Sequence, residues 1–298
     1  MRETFVEKSF TEESHDVIQK AISICEAYAR QGFDLSLRQL YYQFVSRNWL
    51  KNTEQNYKRL GSIVGDARMA GLMDWIWLVD RGRSTASNSH WENPGQIVNA
   101  AARGYRIDSR ENQPFHIEVM VEKQALEGVL EPVCRELDVA FTANKGYSSL
   151  SHLYEVGKRL ARHLAAGKRC VIVYLGDHDP SGIDMSRDVG ERLRLFAGCE
   201  GDEDSVLVER VALNMDQVRR YRPPENPTKL TDSRAGGYIS RFGHSSWELD
   251  ALEPTVLAEL VRAKVGDFTD DDLRSALIAR EAKDRDSLLK FAKKWKGL

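Results

Sequence analysis

Cysteine is scarce and scattered in this sequence: Cys25, Cys134, Cys170 and Cys199 stand far apart, and no Cys-x-x-Cys pairing occurs. That argues against structural zinc and against a disulfide framework, and it fits buried thiols in a reducing compartment. A Gly-x-x-x-x-Gly-Lys-Ser/Thr run is also missing, so the chain offers no phosphate-cradling loop and no nucleotide site. Nothing approaches the roughly 18 consecutive apolar residues of a membrane span. Met1-Arg2-Glu3-Thr4 opens no apolar signal core. The expectation is a soluble, cytoplasmic protein with no membrane contact. Strong net charge is absent too: the formal value of −2 does not suit a protein that coats a polyanion through sheer basicity.

What is present is globular. At 298 residues, 42% hydrophobic and 30% charged, the chain has room for two domains with real cores. Charge clusters locally in one place, where Arg38, Arg47, Lys51, Lys58 and Arg59 are set against Glu54 alone. Either a solvated face or a nucleic-acid contact would look like this.

Apolar spacing predicts a helix from Thr11 through Arg30, stopped by Gly32. Ser36-Leu37-Arg38-Gln39 reads as a capping box that starts a second helix at Leu37, running to about Ser46. At 100° per residue Leu37, Leu40, Tyr41, Phe44 and Val45 share one face, which leaves Tyr42 on the flank beside Arg38. A third helix is expected over roughly Thr53 to Ala70, then a short strand Trp75-Ile76-Trp77-Leu78-Val79 with Arg81 and Arg83 behind it. Three helices and a strand fit a helix-turn-helix unit of the winged type. The polar stretch from Ser84 to Pro94 closes this first unit.

Beyond a linker and a helix, strands and helices alternate. Strands are expected at 115 to 121, 139 to 142, 170 to 175 and 206 to 212, with helices at about 124 to 136, 150 to 165 and 183 to 197 between them. That order marks an α/β domain with a mainly parallel sheet. After Leu213 the Pro223-Pro224-Glu225-Asn226-Pro227 run forbids regular structure, Gly236-Gly237 reads as a loop, and Trp247 to Val265 and Asp270 to Lys294 read as helices.

Two strand exits carry acids: Glu122 after the first, and Asp177 and Asp179 after the third, in Gly176-Asp177-His178-Asp179-Pro180-Ser181-Gly182. Ligands of open parallel sheets bind at the carboxyl ends of strands, and hard carboxylate oxygens suit Mg²⁺. The competing reading is that these acids cap helices, with Asp179 or Ser181 as an N-cap. His178 has no second His or Cys nearby and reads as a loop residue directed away from a metal.

In order and spacing, Val121-Glu122-Lys123-Gln124-Ala125, Thr142-Ala143-Asn144-Lys145-Gly146-Tyr147 and Gly176 to Gly182 resemble the Toprim domain. They look most like the version in the A subunit of DNA topoisomerase VI and its relative, the meiotic double-strand-break transesterase. Leu213 to Tyr221 and Trp247-Glu248-Leu249-Asp250-Ala251-Leu252 are more loosely similar to that family's C-terminal part. The resemblance implies that Glu122, Asp177 and Asp179 hold Mg²⁺, with Mn²⁺ as a substitute, and that Lys145 contacts phosphate unless it is a solvated loop lysine. Arg38-Gln39-Leu40-Tyr41-Tyr42 resembles that family's Arg-Asp-Ile-Tyr-Tyr segment, with Gln39 in place of the acid. This implies Tyr42 as nucleophile and Arg38 as its activating, DNA-contacting cation; the alternative is a Tyr42 that only touches a DNA groove.

The organisation expected on this basis is a winged-helix-like, DNA-binding unit at 1–84, a linker and helix at 85–112, a Toprim-like domain at 113–213 and a helical extension packing on it at 214–298. The activity implied is Mg²⁺-dependent cleavage of double-stranded DNA by tyrosine transesterification. A homodimer would supply two tyrosines, with ATP handled by a separate B-type subunit or not at all in a short, stand-alone or mobile-element version. Two alternatives stand beside it: a hydrolytic nuclease similar to the Toprim subunit of Wadjet plasmid-defence systems, and a non-catalytic DNA-binding protein.

Overall fold

The computed structural model describes residues 2–79, 88–144, 146 and 149–294. The chain is mixed α/β, with helices α1 (Glu12–Ala29), α2 (Leu37–Ser46) and α3 (Glu54–Met69) leading. Each starts where its sequence supplies a cap: Thr11, Ser36 and Thr53 accept from the backbone N–H three residues on. At α2 the box is complete, for Ser36 N donates to Gln39 Oε1 at 2.8 Å and Gln39 N to Ser36 Oγ at 3.2 Å. Leu40, Tyr41, Phe44 and Val45 enter a core shared with Ile18, Ala21, Leu60 and Val64.

The strand expected over 75–79 does not form. Trp75–Trp77 is a 3₁₀ turn, capped by Asp74, which accepts from Ile76 N at 3.1 Å. Arg68 fixes this turn by donating to Trp75 O and Leu78 O, with its guanidinium 4.4 Å from the Trp75 ring centre. Only Leu78 keeps a strand-like bridge, to Leu35. Alternating tryptophans therefore reflect two sides of a turn and not a pleat. Arg81 and Arg83 lie outside the described residues.

Helix α4 (Pro94–Gly104) precedes the sheet strands β1 (Phe115–Val121), β2 (Ala140–Ala143), β3 (Arg169–Leu175) and β4 (Val206–Ala212). All pair in parallel, in the order β2-β1-β3-β4. Continuous apolar runs suit strands covered on both faces. One face carries α5 (Glu127–Leu137) and, from the C-terminal third, α10 (Pro254–Asp267); Ile117, Val119, Val121, Val171 and Val173 pack there. The other face carries α6 (Leu150–Ala165) and α7 (Pro180–Ala197) against Met120, Cys170, Ile172 and Tyr174.

This winding has a functional consequence. The helix after β1 lies on one face and the helix after β3 on the other, while β2 and β4 lie outside them. The switch in winding direction therefore falls between the carboxyl ends of β1 and β3, where an open α/β sheet leaves a crevice.

The C-terminal third departs from the sequence expectation. After α8 (Met215–Tyr221), Glu225–Pro227 forms β5 and pairs antiparallel with β6 (Ser245–Trp247). β5 lies at the edge of this pair, where a sheet tolerates Pro227. Gly236 and Gly237 lie inside α9 (Ala235–Phe242), anchored by Tyr238, whose hydroxyl donates to backbone oxygens. The helix expected from Trp247 begins only at Pro254, a residue suited to a first helical position. Between them Leu249–Ala251 makes a single 3₁₀ turn. Helix α11 (Asp271–Lys294) returns along α4. Among the described residues, no helix is long and apolar enough to cross a membrane.

Candidate active site at the carboxyl edge of the sheet

Glu122 leaves β1 and Asp177 leaves β3 on adjacent strands, with Glu122 N still donating to Leu175 O at 2.9 Å. Glu122 Oε2 accepts from Asp177 N at 2.9 Å, which couples the two exits. Asp179 caps α7, accepting from Gly182 N at 2.6 Å. The capping role weighed against a metal role is therefore real for Asp179, and it engages one oxygen of two. Glycine is required at position 182: a Cβ there would stand 2.3 Å from Asp177 O and 3.1 Å from Glu122 Oε2. Glu122 Oε2 and Asp179 Oδ1 thus both lie beside Gly182.

The loop from 176 to 182 is held from below by Arg210 of β4. Its guanidinium donates to Gly182 O (2.9 Å), Gly176 O (3.0 Å) and Asp177 O (2.6 Å). His178 points away from the acids, as expected, with Nδ1 2.7 Å from the Tyr238 hydroxyl and its ring among Tyr238, Phe242 and Trp247. Burial pushes its pKa down to about 4, so it stays neutral.

Lys123 and the turn at 248–250 complete the edge. The Lys123 ammonium lies 3.0 Å from Asp177 Oδ2, 2.9 Å from Glu248 Oε2 and 3.0 Å from Asp250 Oδ1. Leu249 N donates to Asp177 Oδ1 at 2.8 Å. Although burial opposes its charge, the three carboxylates raise the pKa of Lys123. For Glu248 burial acts upward, but Lys123 and Arg38 prevail and hold it at about 2. Burial raises Glu122, with the Asp177 N–H opposing and the Asp179 charge adding to the rise.

The same turn reaches the helical unit. Arg38 pairs with Glu248 and, through Nε at 3.0 Å, with Asp250. The flank of α2 that carries Tyr42 is therefore covered and not open: Tyr42 is 3% exposed, outside the apolar core yet shielded from solvent. It lines a pocket of about 210 Å³ with Arg38, Asn52, Asn226 and Glu248. Burial, then Asp250 and Glu248, raise the pKa of its phenol, and Arg38 only partly offsets them. In this arrangement Tyr42 is a neutral phenol. Its neighbour Tyr41 is a packing residue whose hydroxyl accepts from Thr53 N at 2.7 Å.

Much of the expected basic cluster is paired within the chain: Arg38 as above, Lys58 with Glu54, and Arg59 with Glu13. The exposed pairs of Lys58 and Arg59 contribute little stability, and all three leave less free positive charge than the sequence suggests. Lys145 lies outside the described residues. Lys229 lines both clefts beside the acids, of about 600 and 340 Å³.

The donor set is hard oxygen throughout. Among the described residues, no group of three or more His, Cys, Asp and Glu side chains is arranged to hold a metal ion. One or two carboxylates nonetheless suit Mg²⁺, which takes its remaining ligands from water and phosphate. Glu122, Asp177 and Asp179 are the carboxylates that would serve such an ion at this edge. The sequence pointed to Glu122, Asp177, Asp179, Arg38 and Tyr42 as candidates and assigned no such place to Lys123, Arg210, Glu248 and Asp250, which the structure sets at or beside the same edge. The available signal was local: Lys123 follows Glu122 directly, and two acids flank Leu249 in a segment otherwise apolar.

No family model, no curated protein and no solved structure matches the chain.

Proposed function

We propose that this chain is a Mg²⁺-dependent, DNA-cleaving enzyme of the topoisomerase VI A type, with a Toprim-like edge and Tyr42 as nucleophile. The observation that carries the reading is the convergence of acids from the β1 and β3 exits at the switch point, with the Arg38–Tyr42 helix tied to the same edge through Glu248 and Asp250. In the proposed step the Tyr42 oxygen bonds to phosphorus, the deoxyribose oxygen leaves, and the phenol proton ends on that leaving oxygen. A bound Mg²⁺ would supply charge to the phosphate oxygens. Glu122 and the aspartates of the 176–182 loop would orient it, and Arg210 would keep that loop in place. Double-strand cleavage requires two such chains, and a homodimer is the simplest source.

The burial of Tyr42 favours a second reading, a hydrolytic nuclease in which the same acids direct water and Tyr42 only packs. Supercoiled plasmid incubated with the protein and Mg²⁺ or Mn²⁺ separates the two. Ends carrying covalent protein, lost in Tyr42→Phe, support transesterification. Free ends that persist in Tyr42→Phe and vanish in Glu122→Gln support hydrolysis. Intact plasmid under both metals, with DNA still bound, leaves a DNA-binding role.

A further inference from the structure

At the amino end of the sheet, opposite the acids, three side chains hold buried hydrogen-bond donors without acceptors among the described residues. Ser109 and Arg110, in the loop that leads into β1, are 5% and 6% exposed. Arg110 donates through Nη2 to Thr269 Oγ1 at 3.1 Å, while its Nε and Nη1 and the Ser109 hydroxyl form no hydrogen bond with a described residue. Arg274, near the start of α11, is half-buried. Its Nη2 donates to Glu136 O at 2.8 Å, and its Nε also lacks an acceptor among the described residues. The two arginines belong to one place. Ser109 N donates to Asp138 Oδ2 at 2.8 Å, at the end of α5 beside Glu136, and Gln113 and Asp270 exchange two bonds that tie the 108–113 loop to the start of α11.

We infer that Arg110, Arg274 and Ser109 form a binding site for a free or terminal phosphate group, a tetrahedral oxyanion held away from the candidate active site. The site does not depend on the DNA-cleaving reading, because the seven residues of β1 separate the two places by roughly 20 Å of strand.

A guanidinium taken out of water needs an anion, and a buried cation left uncompensated is strongly unfavourable. The carboxylates that act on Arg110 are engaged elsewhere. Asp108 Oδ1 accepts the Arg110 backbone N–H at 2.8 Å, Asp138 accepts that of Ser109, and neither forms an ion pair with the Arg110 guanidinium. Burial depresses the Arg110 pKa and the like charge of Arg274 adds to the fall, with Asp138 and Asp108 opposing. Lys168 brings a third cation, its ammonium donating to Arg110 O at 2.9 Å. An oxyanion accepts from several N–H and O–H groups at once and offsets the repulsion between two arginines, which a neutral water molecule does not. Enclosure sets the form of the ligand. A phosphodiester inside a strand carries a sugar on either side and does not fit around so buried a guanidinium, whereas a free or terminal phosphate can enter past the half-buried Arg274.

Calorimetric titration of the full chain with inorganic phosphate, and separately with sulfate and with deoxyadenosine monophosphate, tests the assignment at an ionic strength held constant with potassium chloride. Phosphate is expected to bind and to raise the melting temperature. Arg274→Gln is expected to lose at least about tenfold in phosphate affinity, and Ser109→Ala at least about threefold, as the loss of a charge-assisted bond to the anion implies. Arg30→Gln removes the same charge from an exposed position at the end of α1 and should leave the affinity unchanged. Full affinity in folded Arg274→Gln overturns the inference, as does an equal loss in Arg30→Gln. Should Arg110→Gln fail to fold, Arg110→Lys keeps the charge without the planar fork and is expected to lose at least about tenfold; full affinity there also overturns it. Binding of the monophosphate supports a terminal phosphate as the ligand, and binding of phosphate and sulfate alone supports the free ion. If none of the three binds at millimolar concentration, water alone serves these donors and the inference falls.

Discussion

The guanidinium of Arg38 stands 5.7 Å from the centre of the Tyr42 ring, and its Nε lies 3.0 Å from Asp250 Oδ2. One arginine thus covers the tyrosine and joins helix α2 to the carboxyl edge of the sheet. Asp250, 1% exposed, is shared between Arg38 and Lys123.

Stability should separate Asp250 from Tyr42. Asp250→Asn leaves two cations short of a buried counterion, a change expected to cost about 3 kcal/mol. Tyr42→Phe keeps the ring and its packing and should cost under about 1 kcal/mol. Urea denaturation of both variants checks the order; a larger loss in Tyr42→Phe would contradict the shared-counterion picture.

A second buried carboxylate sets a pH dependence. Glu118, on β1 and 1% exposed, takes two bonds from Arg159, each at 2.7 Å, and one contact from His116 at 2.9 Å. Burial works against its charge, but Arg159 and His116 hold its pKa at about 2, below the ordinary 4.5. A depressed carboxylate stabilises fully above its unfolded value and loses that contribution as pH falls. Wild-type stability should therefore drop by roughly 3 kcal/mol between pH 5 and pH 2 through this group. In Glu118→Gln the same interval should show a shallower fall, read from urea midpoints at each pH.

Two glycine substitutions should act in opposite directions. Gly182→Ala must displace the Asp177 carbonyl, so the melting temperature and any Mg²⁺ binding should both fall. Gly65, inside α3, has open space where a side chain would begin: a Cβ there meets nothing within 4 Å, and Gly65→Ala should gain about 0.5–1 kcal/mol. Thermal melts of the two variants suffice.

Arg210→Lys tests the support of the loop. A single ammonium cannot reach Gly176, Asp177 and Gly182 carbonyls together as the planar guanidinium does. Amide exchange over 176–182 should rise by at least about tenfold while that of β1 is unchanged; equal rises in both would mean global destabilisation instead.

The sheet was legible because its signals are local. Phe115 to Val121 and Val206 to Ala212 are strands with the boundaries their apolar runs suggest, and Ser36 with Gln39 marks the start of α2 to the residue. The acids at the exits of β1 and β3 were legible for the same reason, since Glu122 directly follows its strand and Asp177 and Asp179 lie in the short loop after theirs. The C-terminal third was not. Its short strands pair with each other and, through Trp247, with His178, and Glu248 and Asp250 gain their significance from Lys123 and Arg38, 125 and 210 residues away in the chain for Glu248. No window along the sequence contains both members of such a pair. Tyr42 shows the same limit: helical angles set it off the apolar face, but what covers it comes from the far end of the chain.

The turn at 248–250 also fixes an order of events during synthesis. A nascent chain emerges N-terminus first. Arg38 and Lys123 therefore leave the ribosome long before Glu248 and Asp250 exist to neutralise them, and the Leu249 amide that engages Asp177 arrives equally late. Until then the tyrosine helix and the acidic edge lack the turn that joins them.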